Sequence, residues 1–250
     1  MPGLVSLVLA DARFPGGGHV HSGGLEEAVS RGLASDVASL EGFLLGRLRT
    51  AGLVAAGFAA ASAAVSANCP SSGTSRARPP LTSPSSAVSG DRRARWAELD
   101  AELEARTPSL AQREASRAQG RGTLRAVQAA WPSPVLDGLV AVHPRPHHPL
   151  LVGAVCGAAG EPADEAARCV AYLAISGPAS AAVRLLGLDP FAVNAVLVRL
   201  GPALEAVVAE AVSAAEGPPS DLPAPSAPVL DLMAQAHVHH HRERVRLFVS

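Results

Sequence analysis

The stretch Asp11–Val29, DARFPGGGHVHSGGLEEAV, lies near the start of the chain between two apolar segments with helical spacing. Its five glycines, at positions 16–18, 23 and 24, allow positive φ angles or close backbone approach, at an entropic cost that a neutral connector would avoid. Pro15 fixes the backbone where the loop begins, and Ser22 can cap a helix that begins at Leu25. This composition indicates a shaped loop held between helices.

Helical spacing of apolar residues continues along the chain, and no run shows the alternation of a strand. An Asp36 cap precedes apolar residues three or four apart: Val37, Leu40, Leu44 and Leu48. Further helices are predicted at 4–10, 53–66, 96–103 behind Asp91, 109–130, 134–142, 149–159, 163–176, 178–187 and, behind the cap Asp189-Pro190, 190–200. Gly177-Pro178 and the run 131–134 are predicted breaks. The sequence therefore predicts an all-α fold, a single-domain bundle of about ten helices.

Two stretches do not fit this bundle. Residues 66–90 contain eight Ser, four Pro and two Gly, which predicts a disordered insert. Residues 217–228 hold five prolines and predict an extended spacer. The expected organisation is a helical domain over 1–216, this spacer, and a C-terminal segment, 229–250, that is too short to fold alone and orders on a partner or on the bundle.

Composition excludes several function classes. The charged fraction is 17%, the apolar fraction 48% and the net charge −1, which gives nucleic-acid binding no support and suggests a surface partly covered by partner chains. Lysine is absent, so the chain has neither the lysine of a phosphate-binding loop nor that of Schiff-base chemistry. The cysteines Cys69, Cys156 and Cys169 lack CxxC spacing, which fits a reducing cytoplasm.

The uncharged stretch from Thr50 to Ser75 raises the question of a membrane span. Its apolar part, Ala51–Val65, has 15 residues, mostly Ala and Gly, and a span needs about 20. The N-terminal MPGLVSLVLADAR lacks the basic start and the cleavage site of a signal peptide. We therefore expect a buried helix and a cytoplasmic protein.

Histidines are the candidate metal ligands. His19 and His21, two apart in the glycine loop, could supply a pair of imidazoles, or His21 could hold the loop by a local hydrogen bond. His237 and His241 have the i, i+4 spacing of helical ligands within the cluster 237–241, which could equally be a solvated segment that binds divalent metals weakly. Three more lie in a proline-rich loop and are expected to be exposed: His143, His147 and His148.

The acidic and nucleophilic residues do not predict an enzyme. His21 and Ser22 are adjacent and cannot easily meet as base and nucleophile beside Asp11. Glu26 and Glu27 are neighbours on different helix faces, so they do not form an acid/base pair.

The opening stretch resembles the signature of the UreF family of urease accessory proteins, roughly D-S-x-F-P-x-G-x-x-x-H-S-x-G-L-E. The residues that match in register are Asp11, Phe14, Pro15, Gly17, His21, Ser22, Gly24, Leu25 and Glu26. The departures are Ala12, Gly16 and His19.

Two further stretches resemble the same family. Pro108–Leu124 approximates the pattern E-x-x-x-A-S-x-x-x-G-x-x-L, in which Ser116 and Gly120 share a helix face and permit close helix approach. The C-terminus, with His237 and then Arg246-Leu247-Phe248-Val249-Ser250, is similar to the R-L-F-x-S end of UreF chains.

The resemblance implies a non-catalytic, chaperone-type adaptor. UreF-like proteins dimerise, bind the accessory protein UreD (also called UreH), recruit the GTPase UreG and help to pass nickel to apo-urease. It implies that the loop Asp11–Glu27, the helix face of Ser116 and Gly120, and the tail Arg246–Ser250 bind partners. It also implies that no cofactor is held stably, with nickel at most in transit through His19, His21, His237 and His241. The alternative is a stand-alone metal-storage or metal-sensing protein that uses the histidine clusters.

Overall fold

A computed structural model describes residues 3–11, 13–16, 22–67 and 85–240, with the backbone alone at 85–89 and 237–240. These residues form helices and connections without a strand, so the predicted all-α class is confirmed. The helices are α1 (Leu4–Ala10), α2 (Leu25–Ser30), α3 (Val37–Arg47), α4 (Leu53–Ala67), α5 (Ser85–Ala105), α6 (Leu110–Ala130), α7 (Pro134–Val142), α8 (His148–Ala158), α9 (Ala163–Leu186), α10 (Pro190–Arg199), α11 (Gly201–Ser213) and α12 (Pro228–His240). A π-helical turn, Leu48–Gly52, joins α3 to α4, and a 3-10 turn, Pro219–Asp221, precedes α12.

Helix α4 lies at the centre of the bundle, and α8, α9 and α11 pack against it. Ser62 in α4 donates a hydrogen bond to the Leu150 carbonyl oxygen at 2.7 Å and accepts one from Trp96 Nε1 at 3.3 Å. Small residues allow the helices to approach, since a Cβ at Gly153 would lie 2.1 Å from the carbonyl oxygen of Ala59. The apolar part of the uncharged stretch, residues 51–65, therefore lies in a largely buried helical segment, as the sequence predicts, and its small side chains bring α4 and α8 together.

Two apolar clusters fill the space around α4. The first includes Phe58 and Trp96 and lies largely among α4, α5, α7 and α8. The second includes Leu44 and lies largely among α3, α9, α10 and α11. The predicted Asp36 cap of α3 is present, because its carboxylate accepts a hydrogen bond from the Ser39 amide at 2.8 Å.

Helix α9 differs from the sequence prediction, which ended one helix at residue 176 and began another at 178. It runs unbroken from Ala163 to Leu186 with Pro178 inside it. Proline has no N–H to bond the carbonyl four residues earlier, that of Ala174. Arg47 Nε donates to that carbonyl oxygen at 2.9 Å, so the group left by the proline keeps a donor.

The segments outside the predicted helices also differ in part. Helix α5 begins at Ser85, so residues 85–90 of the expected insert have a helical backbone, while 68–84 lie outside the described residues. Helix α11 was not predicted; it follows α10 at a bend of 45°.

The proline-rich stretch 217–228 is anchored to the bundle. Leu222 is only 3% exposed and belongs to the first apolar cluster. Arg106 donates to the carbonyl oxygens of Ser220 at 2.8 Å and Leu222 at 3.4 Å. Helix α12 then packs on α6 and α2, so this part of the C-terminal segment orders on the bundle.

By length and composition alone, two helical stretches in the described residues could cross a membrane, Val37–Ala67 and Ala163–Leu186. The bent pair α10 and α11 would be a third if counted as one span. In the fold, α4 is surrounded by other helices, and most of its side chains are buried against protein.

Candidate functional site

A cleft of about 750 Å³ lies between the opening loop, α6, α9 and the N-terminal half of α12. Four of the site residues predicted from the two family-like stretches line it: Asp11, Phe14, Gly24 and Ser116. Its other walls are largely apolar and include Leu9, Val54, Leu103, Val170 and Leu173. The fold therefore brings two stretches a hundred residues apart in sequence to one concave surface.

The described part of the opening loop is held by local contacts. Arg13 forms a salt bridge with Asp11 at 2.6 Å, and its hydrogen bonds lower the pKa of Asp11 to about 2. Phe14 stacks on Trp131 with ring centroids 6.5 Å apart, which ties the loop to the end of α6. The exposed Pro15 follows. Gly17, His19 and His21 lie outside the described residues, and their partner or metal roles stay predictions.

The second half of the loop begins α2. Ser22 is buried, and its hydroxyl accepts a hydrogen bond from the Glu26 amide in the first turn of α2 at 3.4 Å, although the N-cap residue of α2 is Gly24. Gly24 has a φ of 91°, in the left-handed region that favours glycine, and Leu25 is fully buried in the second apolar cluster. Ser22, Leu25 and Glu26 thus shape the loop and do not line the cleft.

Ser116 and Gly120 lie on one face of α6, where the end of the preceding loop and the first residue of α8 approach closely. A Cβ at Gly120 would lie 1.9 Å from the carbonyl oxygen of Pro146, so the segment before α8 needs glycine at this position. Ser116 Oγ lies 3.0 Å from His147 Nδ1 and accepts from the His148 amide at 3.4 Å.

The expectation that three histidines of this loop are exposed is wrong. His147 is fully buried, His148 is 8% exposed and lines the cleft, and His143 is half-buried. Burial occurs because Gly120 lets the loop backbone sink onto α6, where Ser116 offers a hydrogen-bond partner.

An ion-pair cluster holds the same loop from the side of α5. Arg117 forms a two-pronged salt bridge with Asp100, at 2.7 and 2.8 Å, and reaches Glu104 at 2.6 Å. It also donates to the Arg145 carbonyl oxygen at 3.1 Å. Burial would lower the pKa of Arg117, but the hydrogen bonds that it donates to both carboxylates outweigh it and raise that pKa. Bidentate pairs of this kind fix geometry as well as charge, so the cluster locks α5, α6 and the loop together.

His147 completes the cluster as a neutral ring. Its Nε2 lies 3.2 Å from Glu104 Oε1, and burial, with the nearby Arg117 charge, lowers the pKa of His147 to about 4. Burial also disfavours ionised Glu104, but the Arg117 hydrogen bond and neighbouring charges lower its pKa overall. Since Glu104 is ionised and accepts, Nε2 carries the proton, and Nδ1 accepts from Ser116.

Arg47, at the end of α3, joins the opening loop to α9. Its Nη1 donates to the Gly23 carbonyl oxygen at 2.8 Å, while Nε serves the Ala174 carbonyl oxygen. Gly23 has a φ of 61°, and a Cβ there would lie 2.7 Å from the centre of the guanidinium. Arg47 lines the cleft, and burial lowers its pKa to about 10.

The predicted C-terminal sites are only partly within the described residues. His237 lies on the backbone of α12, whereas His241, Arg246, Leu247, Phe248 and Ser250 lie beyond it. Asp231 and Ala234 of α12 line the cleft. The described part of the chain contains no group of at least three His, Cys, Asp or Glu side chains that could hold a metal ion.

Sequence reasoning missed Arg47, Arg117 and His147, which organise the cleft. Their partners are 13 to 127 residues away, so no local motif marks them. Arginine at the end of a helix and histidine beside prolines carry no signal of burial. The one usable sign was Pro178 in an otherwise helical pattern, which requires a donor from elsewhere for the carbonyl of Ala174.

The described residues define an all-α helical bundle with an open cleft between the opening loop and the Ser116 face of α6. The UreF family profile matches residues 34–201. Relatives named urease accessory protein UreF include one from Mycolicibacterium vanbaalenii, 43% identical over 236 residues, or 94% of each chain. Others come from Mycobacterium bovis and Mycobacterium tuberculosis, 39% and 38% identical over 247 residues, or 98% of each chain. The chain belongs to the UreF family of urease accessory proteins.

Proposed function

We propose that this chain is a cytoplasmic adaptor of urease maturation, which binds a UreD (UreH) protein and recruits the GTPase UreG for nickel insertion into apo-urease. The observation that carries the proposal is its likeness, over nearly the whole length, to proteins named urease accessory protein UreF. The missing lysine supports a division of labour in which another protein hydrolyses the nucleotide. The chain itself is non-catalytic, holds no cofactor stably, and has nickel at most in transit.

Exposed apolar side chains support partner binding. Phe191 and Val198 on α10 are 86% and 71% exposed, and they lie seven residues apart on one face of the helix. Leu4 and Leu7 make a second exposed pair on α1. Apolar side chains grouped on one face mark interaction surfaces. We assign these faces to the homodimer and to the other accessory proteins.

The tail is proposed to complete a partner surface. Arg246, Leu247 and Phe248 combine a forked cation with two apolar anchors, the residue types that carry much binding energy. They follow α12, which already packs on α6 and α2 beside the cleft.

Truncation of the tail tests this function against the metal-storage alternative. Removing residues 245–250 leaves every histidine in place, and we expect loss of the complex with a co-expressed UreD-type protein and loss of urease activation. Replacing His239, His240 and His241 by alanine should do less harm. The metal-storage alternative predicts the reverse order and tight metal binding by the isolated chain. A wild-type chain that fails to co-purify with a UreD-type protein would contradict the adaptor role.

A further inference from the structure

Arg47 carries a positive charge that no carboxylate among the described residues compensates. Its guanidinium has five N–H donors, and the described residues accept from Nε and Nη1 only, through the backbone carbonyls of Ala174 and Gly23. No carboxylate within the described residues pairs with it, and burial alone lowers its pKa. At a pKa of about 10 it is still charged at neutral pH. In the remaining residues, the sequence offers only one acidic side chain, Glu243.

The cleft beside this charge is shaped for a polypeptide segment. Its volume of about 750 Å³ and its apolar walls fit several side chains, more than a small oxyanion fills. Asp231 of α12 lines the same cleft, and burial raises its pKa with no basic partner among the described residues. The cleft thus offers a cation from α3, an anion from α12 and apolar walls.

From this complementarity we infer that the cleft receives an extended segment of a second protein of the maturation assembly, whose Asp or Glu side chain binds Arg47. The inference rests on the proposed function for the identity of that assembly. Arg47 is half-buried, and a partly desolvated cation without a counter-ion carries a cost that a bidentate carboxylate on its remaining Nη donors would offset with good geometry. A basic residue of the same segment would face Asp231.

An internal competitor tests the inference without removing Arg47. Ala51 lines the cleft one turn beyond Arg47, so Ala51→Glu would place a carboxylate within reach of the guanidinium. We expect the affinity for the co-purified accessory partners to fall at least about tenfold, the size of one charge-assisted hydrogen bond, with thermal stability kept or raised. Ala51→Gln adds the same bulk to the cleft without the charge, so it measures the steric cost alone, and Ala51→Glu should bind at least about tenfold more weakly than Ala51→Gln. Equal binding by the glutamate variant, or equal losses in both variants, would overturn the inference.

Photo-crosslinking identifies the segment. Tyr172 is 39% exposed and lines the cleft, so p-benzoyl-phenylalanine in its place should crosslink, in the purified assembly, to a partner peptide containing Asp or Glu. The partner's acid→amide change and Arg47→Gln should then be non-additive in a double-mutant cycle, each costing about what both cost together. This readout holds even if Arg47→Gln is less stable, because the cycle subtracts that effect.

The outcomes separate the two proposals. If the wild-type chain binds no accessory partner, the proposed function fails first. If the assembly forms but the crosslink falls on residues 241–250, or Glu243→Gln reproduces the loss, the chain's own tail occupies the cleft and the inference is wrong. A crosslinked partner segment without an acidic residue, or an additive cycle, overturns it as well.

Discussion

Replacing Gly120 by alanine should destabilise the protein, although alanine is the better helix former. In an exposed helix the change gains up to about 1 kcal/mol. Here the new Cβ would lie 1.9 Å from the carbonyl oxygen of Pro146, and ordinary contact begins at 3.4 Å. The loop before α8 must therefore retreat by about 1.5 Å, since the other side of the clash is backbone as well.

The loss of stability comes from His147, which lies in this loop and is held by two polar contacts. A retreat of that size breaks the 3.0 Å contact of His147 with Ser116 and the 3.2 Å contact with Glu104. Buried polar groups that lose their partners cost about 1–3 kcal/mol each. With the gain in helix propensity subtracted from two such losses, we expect the free energy of unfolding to fall by about 1–5 kcal/mol.

Urea unfolding followed by far-UV circular dichroism measures this change. Gly42→Ala is the matched control, because Gly42 is an exposed residue of α3 whose added Cβ would meet nothing within 4 Å. It should be neutral or stabilise by up to about 1 kcal/mol. If Gly120→Ala proves as stable as Gly42→Ala, the close approach of the loop to α6 does not exist in solution.

Two further predictions follow from buried polar groups. His147 has a folded pKa of about 4, below its ordinary 6.5, so its contribution is present above pH 6.5 and is lost as the pH falls towards 4, by about 3 kcal/mol. Between pH 6.5 and 4, the free energy of unfolding of His147→Gln should therefore change less than that of the wild type. His143→Gln is the control and should behave as the wild type does. Parallel pH profiles for all three proteins would refute the lowered pKa of His147. Glu161 accepts from the amides of Val5 at 2.8 Å and Ser6 at 3.0 Å, so Glu161→Ala should cost about 1–3 kcal/mol and speed hydrogen exchange at those two amides. Unchanged exchange there would show that α1 does not depend on this cap.

Most of the fold follows from local chemistry. Asp36 and Asp189 cap α3 and α10. Each side chain accepts a hydrogen bond from an amide in the first turn of its helix, within four residues in the sequence. Apolar spacing likewise located α7 at residues 134–142. The all-α class could be predicted because these signals need no knowledge of the rest of the chain.

The exceptions involve partners far away in sequence. Pro178 looked like a break because the donor that replaces its missing hydrogen bond, Arg47, lies 127 residues from Ala174. His147 looked exposed because the features that bury it, Gly120 and Ser116, lie on a different helix. The two local rules are that proline breaks a helix and that histidine in a proline-rich loop is exposed. Both fail here because a polar group distant in the sequence provides the missing hydrogen-bond partner.

The sequence predicted individual residues of the candidate site but not how they are arranged around the cleft. The family-like stretches named Asp11, Phe14, Gly24 and Ser116, which the fold brings to one cleft. What the stretches could not show is the division of labour inside them. Glycine at position 120 leaves room for the loop that carries His147, because a side chain there would push the loop backbone away. Glycine at position 23 likewise leaves room for the Arg47 guanidinium. Glycines in such a motif therefore mark where other parts of the chain come close, and the arginine and histidine they admit give the cleft its charge and its rigidity.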